Sequence, residues 1–549
     1  MLDYHVRSLD YRYTPLRDSL FAILEDRQAV PEWLGVPGWN RAGLLAAAQR
    51  PAFIPRVMTD LCHQNPADEP AVKAALATAA DGKAVFVITG QQAGFLGGPL
   101  YTVYKAITVL RLVNELQKEN IPAVGLFWVA GEDHDLAEVS AATILGPGGR
   151  QQTFTLQPEN GDMRPVSLVR LGKEIHSVLE ELRRMTPDSA AGREFLAQVA
   201  EGVRPDMTFG RSFRRLMQRW FARFGLLFFD PMAADRRAMM ADFLQPLADL
   251  RAEIPERVQS SSRRLVEHGF PAPVALQRER CCLFYLHPEQ GRRRVLTSSD
   301  GRFAVDGTDI VWDEAGYRSA LREEPECFSP DVLLRPLLQD AIFPTALYVG
   351  GPAEMAYQLQ IRELYPLWRI PAPVLWPRIT ATLLGPSALR KLEKLDLTPD
   401  CLFEDKTTLT RNLLLKVGAD QQLEEFRHAY AALESKLDDI LLSLKHFPEP
   451  MIRSAESTIG KVQGLLSKLE ERVQRQLKKD NEDLVGALAA VLEEVLPGGR
   501  MQERVFNVGS FLMFAGPALL PMMMQELDPF RVVHNLIEIA AWESDVMPE

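Results

Sequence analysis

The run Ala84-Val85-Phe86-Val87-Ile88-Thr89, followed at once by glycines, restricts the fold more than any other stretch of the chain. It shows no alternation of apolar and polar side chains, so a strand here needs cover on both faces, as in a parallel sheet with helices above and below. A helix fits from Pro99 onward through LYTVYKAITVLRLVNELQKEN, because proline is favoured at the first helical position and Pro122 stops the run. The next apolar stretch, Ala123 to Val129, reads as a second buried strand. Strand, glycine-rich turn, helix and strand make a βαβ unit, whose crossover is expected to be right-handed.

The same grammar recurs further on. A helical stretch near Asp206 to Phe224 runs into the apolar Gly225 to Phe229, and Ala346 to Val349 leads into Gly350-Gly351-Pro352 and a helical run beginning AEMAYQLQIREL. A short strand follows in PVLW at 373–376. These elements predict an α/β fold with a doubly wound parallel sheet, in which two strand-to-helix turns on one carboxyl edge face a common crevice, the place where such sheets bind ligands. Residues 1–75 read as an N-terminal helical segment packed on the core, 76–145 as its first half, 146–330 as a continuation carrying inserted segments, and 331–390 as its second half. Within the insertions, CCLFYL, RRRVLTS, RFAV and DIVW look like short β pieces.

Beyond residue 415 the period changes. Leu423, Phe426, Tyr430, Leu433, Leu437, Ile440 and Leu444 follow alternating steps of three and four, and Ile459, Val462, Leu466, Leu469 and Val473 do so after the Phe447-Pro448-Glu449-Pro450 break. This predicts an α-helical coiled-coil hairpin within 391–500, its seam closing inside one chain or between two copies. Residues 501–549 return to core-like composition and are expected to dock back on the sheet.

Composition narrows the function classes. Lys and Arg number 62 against 73 Asp and Glu, a formal charge of −11 that repels a polyanion at long range, so nucleic acid is not an expected partner. The cluster Arg292-Arg293-Arg294 reads as solvated surface. Five cysteines without a C-x-x-C pair suit a reducing cytoplasm, and the start MLDYHVRSLDYR carries charges where an export signal needs an apolar core. The apolar stretch Val505 to Met524 contains Asn507, Ser510, Gly516, Pro517 and Pro521, which would leave polar groups unmet in lipid, so no membrane is expected.

Three loops could carry chemistry. Thr89-Gly90-Gln91-Gln92 continues through Gly94, Gly97 and Gly98 to a helix start, which reads equally as an anion or nucleotide cradle and as a tight turn; neither GxxxxGK[ST] nor G-x-G-x-x-G is present. Lys105 and Tyr101 share one face of the helix behind it, Lys105 either reaching over the loop or standing in solvent. The second loop, Glu132-Asp133-His134-Asp135, crowds carboxylates around an imidazole, the usual means of orienting a base, though an exposed acidic turn is the alternative. His134 has no helical-spaced His or nearby Cys, so no metal site is assigned. In the third, Gly350 and Gly351 precede Glu354 and Tyr357 on one helical face, with Arg335 and Gln339 upstream. Arg335 would be a fork for a carboxylate or phosphate, and simple capping and surface pairing explain the group equally well. Cys281 and Cys282 read as buried small apolar residues.

TGQQAGFLGGPLYTVYK at 89–105, FWVAGEDHDLAEV at 127–139, RPLLQD at 335–340 and VGGPAEMAYQLQI at 349–361 resemble the BshC family, the cysteine-adding enzymes of bacillithiol biosynthesis. The likeness continues through the coiled coil and QERVFN at 502–507. It implies a Rossmann-like core, a coiled coil used for homodimerisation, and a ligase that adds L-cysteine to glucosaminyl-malate.

An unactivated carboxylate does not acylate an amine at a useful rate, so ATP with Mg2+ is the expected activating agent. Thr89, Gly90, Gln91, Gln92, Gly94, Gly97 and Gly98 would then hold the nucleotide, with Lys105 countering developing charge. His134, oriented by Asp133 or Asp135, would take the proton of the attacking amine. Glu132, Tyr101, Arg335, Gln339, Gly350, Gly351, Glu354 and Tyr357 would position substrates, Arg335 on the malate carboxylates. The alternatives are a nucleotide- or sugar-binding scaffold without ligase activity, and an amide ligase for another amino acid or thiol.

Overall fold

The computed structural model describes residues 2–157, 162–275, 280–298, 301–416 and 419–542. From the amino end, β1 (Asp3–Leu9) precedes several short helices, then come β2 (Val85–Gln91), α1 (Leu100–Lys118) and β3 (Ala123–Val129). The antiparallel hairpin of β4 (Ala141–Leu145) and β5 (Gln151–Thr155) follows, and after three helices β6 (Leu227–Phe229). Next come β7 (Arg280–His287), β8 (Gly291–Thr297), β9 (Phe303–Val305), β10 (Val311–Trp312) and β11 (Phe328–Pro330). Then α2 (Arg335–Ile342), β12 (Thr345–Gly350), α3 (Pro352–Gln360), β13 (Val374–Pro377), β14 (Thr380–Leu384) and, near the carboxyl end, β15 (His534–Ala541).

The chain divides into two compact units, Met1–Gly385 with Arg500–Glu549, and Pro386–Gly499. At the centre of the first lies a five-stranded sheet of order β13-β12-β2-β3-β6, with every neighbouring pair parallel. All seven residues of β3 and all six of β12 are buried, as continuous apolar runs require. On one face Phe86, Ile88, Val124, Leu126 and Trp128 pack in a core with Val72 and Leu76 of the helix Pro70–Ala80. On the other, a Cβ added to Gly125 would sit 3.0 Å from Val109 of α1, so the helix rests directly on sheet backbone. This is the Rossmann-like, doubly wound arrangement expected.

Two elements differ from the sequence reading. The amino-terminal segment is not purely helical: β1 pairs antiparallel with β15, which pairs parallel with β14, so both ends of the chain share a small sheet. The insertion forms an antiparallel sheet of its own, order β10-β9-β8-β7-β11. Within it a register shift between Arg280 and Phe284, with Cys282 at φ 58°, turns the adjacent Cys281 and Cys282 into the same core.

The second unit holds the helices Pro386–Lys394 and Lys406–Lys416, the hairpin of α4 (Ala419–Ser443) and α5 (Glu449–Asp480), and the helix Glu482–Val495. Arg427 Nε on α4 meets Glu470 Oε1 on α5 at 2.9 Å, while Leu437 and Ile459 are buried in the seam. The side chain of Leu423 lies outside the described set. Among the described residues no helix is long and apolar enough to cross a membrane.

Candidate active site

From β2 the chain winds outward through β3 to β6, then crosses back to lay β12 and β13 on the other side, so the winding reverses between β2 and β12. Loops leaving the carboxyl ends of those two strands diverge and leave a crevice. A cavity of about 530 Å³ fills it. Gly90, Gln91 and Gln92 line it from the end of β2; Glu132, Asp133 and His134 from beyond β3; Gly351, Glu354 and Tyr357 from α3; Tyr101 and Lys105 from α1; and Arg335 from α2.

Lys105 is 1% exposed and does not stand in solvent. Its ammonium lies 2.6 Å from Glu354 Oε2 and donates to the Gly90 carbonyl at 2.8 Å and to Gln91 Oε1 at 2.9 Å. An ammonium has three protons, and these three partners use them all, so Lys105 braces the loop and Glu354. Burial lowers its pKa and the Glu354 charge opposes that shift. Glu354 also accepts from the Gly351 amide at 2.9 Å, capping α3, and from the Tyr348 hydroxyl at 3.3 Å. Arg335 donates to the Tyr357 hydroxyl at 3.1 Å.

Across the cavity, the His134 amide donates to Asp133 Oδ1 at 2.8 Å, and His134 Nδ1 lies 3.6 Å from the same oxygen. The Gln92 side-chain amide ties Asp133 Oδ2 at 2.8 Å to Glu138 Oε2 at 2.9 Å. Burial, and then the charge of Arg292, push the His134 pKa below its ordinary value, with Asp133 opposing, so the ring is neutral at neutral pH. Burial alone would raise the carboxyl of Asp133, but the Gln92 hydrogen bond and Arg292 outweigh it and hold the group ionised. Asp135 acts on His134 only through its charge, which opposes the lowering: its carboxylate accepts from the Glu138 amide at 3.2 Å, capping the short helix Leu136–Val139, and it does not line the cavity.

The glycine-rich loop is a braced turn. A Cβ on Gly94 would meet Gly98 Cα at 2.8 Å, and one on Gly97, at φ +90°, would meet the Trp220 ring at 2.6 Å. Asn507 donates to the carbonyls of Leu96 at 2.8 Å and Gly98 at 2.6 Å, and the first amide of α1, Leu100, donates to the Phe506 carbonyl at 2.8 Å. The helix start where an anion was expected is thus covered by the chain at 506–507. Gly94, Gly97 and Gly98 do not line the cavity, nor do Thr89, Gln339 and Gly350. The Thr89 hydroxyl ties β2 to the Val349 carbonyl at 2.8 Å, and Gln339 is fully buried with its amide on Asp340 at 3.0 Å.

Residues 50–379 match the family described as bacillithiol biosynthesis BshC, N-terminal Rossmann-like domain, and residues 381–539 match its C-terminal coiled-coil domain. A protein of Salinibacter ruber, named "Putative cysteine ligase BshC", is 30% identical over 523 residues, covering 92% of this chain and 93% of its own. One of Symbiobacterium thermophilum with the same name is 30% identical over 464 residues, covering 80% and 81%. This chain belongs to the BshC family. A solved Campylobacter jejuni structure titled as a putative arginyl-tRNA synthetase, 11% identical and covering 80% of this chain and 93% of its own, superposes with a TM-score of only 0.18.

In this BshC member the cavity wall includes four arginines that the sequence reading gave no site role, although Arg504 lies within QERVFN. Arg292 is not solvated surface: it is 7% exposed, stacks 3.7 Å from the centre of the Phe284 ring, and donates to the Pro330 carbonyl at 2.9 Å. Arg294, two residues along β8, also lines the cavity, whereas Arg293 turns back to the Gln290 carbonyl at 3.0 Å. The signal was the strand itself, since alternate residues share a face. Arg378, just past β13, is buried on Glu503 with contacts of 3.0 and 2.5 Å, and its guanidinium stands 5.5 Å from the Tyr101 ring centre. Arg504 completes this side. Among the described residues no group of three or more His, Cys, Asp or Glu is arranged to hold a metal ion.

Proposed function

We propose that this chain is a carbon–nitrogen ligase that joins the carboxyl of L-cysteine to the amine of glucosaminyl-malate in bacillithiol biosynthesis. The observation that carries the reading is the His134 imidazole set against Asp133 on the wall of a crevice that arginines also line, with burial and Arg292 favouring the neutral ring. Along the same lining Lys105 pairs with Glu354 and Arg378 with Glu503, while Arg335 and Arg504 also line the cavity, cations that suit the carboxylates of malate. As the C–N bond forms, the amine nitrogen sheds a proton, and His134 is the group placed to accept it. The family membership and the names of the relatives support the same reaction.

ATP is the proposed co-substrate, with Mg2+ carried on its phosphates; when bound it supplies a leaving group for the cysteine carboxyl. The cavity fits a second anionic group through Arg292 and Arg294, rather than through the braced glycine turn. Gly90, Gln91 and Gln92 remain the loop residues within reach of it.

A second copy of the chain is the proposed partner of the coiled-coil hairpin, and five cysteines held in no disulfide agree with a cytoplasmic enzyme. The test of function is mass spectrometry of products from purified protein, glucosaminyl-malate, L-cysteine and Mg-ATP, with and without ATP. An ATP-dependent product of the condensed mass is expected, and its absence from folded protein would remove the ligase reading.

A further inference from the structure

Tyr101 lines the cavity with its side chain partly exposed, and the hydrogen bonds behind it run in one direction only. The Lys105 ammonium has protons and no lone pair, so Gln91 Oε1, 2.9 Å away, accepts from it. That fixes the Gln91 amide: its nitrogen is the end that faces the Tyr101 hydroxyl, at 3.2 Å, and there it donates. The hydroxyl oxygen is therefore an acceptor toward the protein, and its own proton is directed away from Gln91. Among the described residues no acceptor for that proton lies within hydrogen-bond distance.

The charges that act on the hydroxyl are those of Glu354, Arg378, Arg504 and Glu138. They come from four separate segments and all line the cavity, so the oxygen sits among the walls and not behind one of them. Glu354 is already bonded to Lys105 and the Gly351 amide, and Glu138 to Gln92. Arg378 is taken up by Glu503, whereas Arg504 is exposed and in no ion pair among the described residues. Burial, and then Glu354, raise the pKa of Tyr101, so the proton stays on the hydroxyl at neutral pH.

We infer that the Tyr101 hydroxyl donates to a carboxylate of the acceptor's malate arm, with Arg504 as the neighbouring cation, and so sets specificity for an acidic acceptor. The assignment rests on the ligase reading above. Of the anionic groups in that reaction, the cysteine carboxyl is consumed and phosphates suit Arg292 and Arg294; the malate carboxylates pass through unchanged and have to be held. A carboxylate only accepts, and Tyr101, its polarity set by Lys105 through Gln91, has only a donor left to offer. An ester in that place is a neutral, weaker acceptor, and an ammonium is none at all.

The test is calorimetric binding of glucosaminyl-malate and of its malate dimethyl ester to the wild type, Tyr101→Phe, Gln91→Glu and the double variant, alongside the ligase assay. Tyr101→Phe keeps the ring, which has the Lys105 ammonium 5.7 Å and the Arg378 guanidinium 5.5 Å from its centre, and removes only the hydroxyl. It is expected to weaken the acid by roughly 10- to 100-fold and the ester little, with the KM for cysteine and for ATP unchanged. Gln91→Glu puts an acceptor where the amide had a donor and turns the Tyr101 proton back toward the protein. It is expected to weaken the acid while Tyr101 is present and to change little on the Tyr101→Phe background. Wild-type affinity for the acid in Tyr101→Phe, a loss shared equally by the ester, a loss that falls on cysteine or ATP, or an equal effect of Gln91→Glu on both backgrounds overturns the assignment. Absence of product from the wild type removes the ligase reading, while the binding constants still decide whether Tyr101 receives the carboxylate.

Discussion

At the scale of single residues, the proposed base His134 is held neutral beside an ionised Asp133. His134 is a base only while neutral, so the rate falls as pH drops through its pKa, and that pKa lies below the ordinary histidine value because of burial and Arg292. The acid limb of kcat is therefore expected below the range where an exposed histidine titrates. Arg292→Met removes a lowering charge and should move the limb up; Asp133→Asn removes a raising one and should move it further down. His134→Ala should cost roughly 10²- to 10⁴-fold in kcat, the usual worth of a general base. Product mass spectrometry across pH 5–8 (roughly the window in which histidines titrate) measures all three. A limb that ignores both neighbours, or shifts in the reverse sense, would take the proton transfer away from His134.

At the scale of elements, the carboxyl-terminal segment braces the front of the molecule. Asn507→Ala would leave the buried carbonyls of Leu96 and Gly98 without their donor, and a loss of about 2–4 kcal/mol in denaturant unfolding is expected. A stability change within error would show that the glycine turn stands without that brace. The small sheet carries a pH-dependent cost of its own. His534, fully buried, is held between the hydroxyls of Thr382 at 2.9 Å and Thr380 at 3.0 Å, and burial pushes its pKa down to about 3. An unfolded histidine takes up a proton below about pH 6.5 and the native one does not, so stability is complete above that pH and drains away as pH falls toward 3. At pH 5 the cost from this group is on the order of 2 kcal/mol. His534→Gln should flatten the decline of the melting temperature between pH 7 and 5, and an identical slope in the variant would exclude His534 as its source. These elements also show why some of the fold was readable and some was not. β2, β3 and β12 are covered on both faces, so their sequences are unbroken apolar runs, and the loops after them hold the crevice residues. β1 is an edge strand, half exposed, whose partner β15 lies more than five hundred residues away, and nothing local marks it. Arg292 was hidden for a related reason: three consecutive arginines look like a solvated run until the inserted sheet places alternate ones against the cavity.

At the scale of the whole molecule, the catalytic reading and the assembly reading separate. Every residue of this chain that lines the cavity belongs to the unit Met1–Gly385 with Arg500–Glu549, and none to the hairpin. The hairpin leaves apolar side chains open. Of the positions that the three-four spacing puts in its seam, Leu437 and Ile459 are buried, but Ile440 is 50% exposed, and the neighbouring Leu465 is 66% exposed. Apolar side chains open along two long helices are what a second coiled-coil partner covers, and a second copy presents a matching strip under two-fold symmetry. Sedimentation equilibrium is therefore expected to give twice the 61.6 kDa of one chain. Ile440→Glu with Leu465→Glu places charge on the open strip while leaving Leu437 and Ile459 in place, so a monomer with an unchanged melting profile is expected. Because the hairpin supplies none of the cavity lining, that monomer should keep the wild-type kcat. A wild type that sediments as a monomer would mean the strip is left open to water, and a variant that stays dimeric would move the interface away from the hairpin.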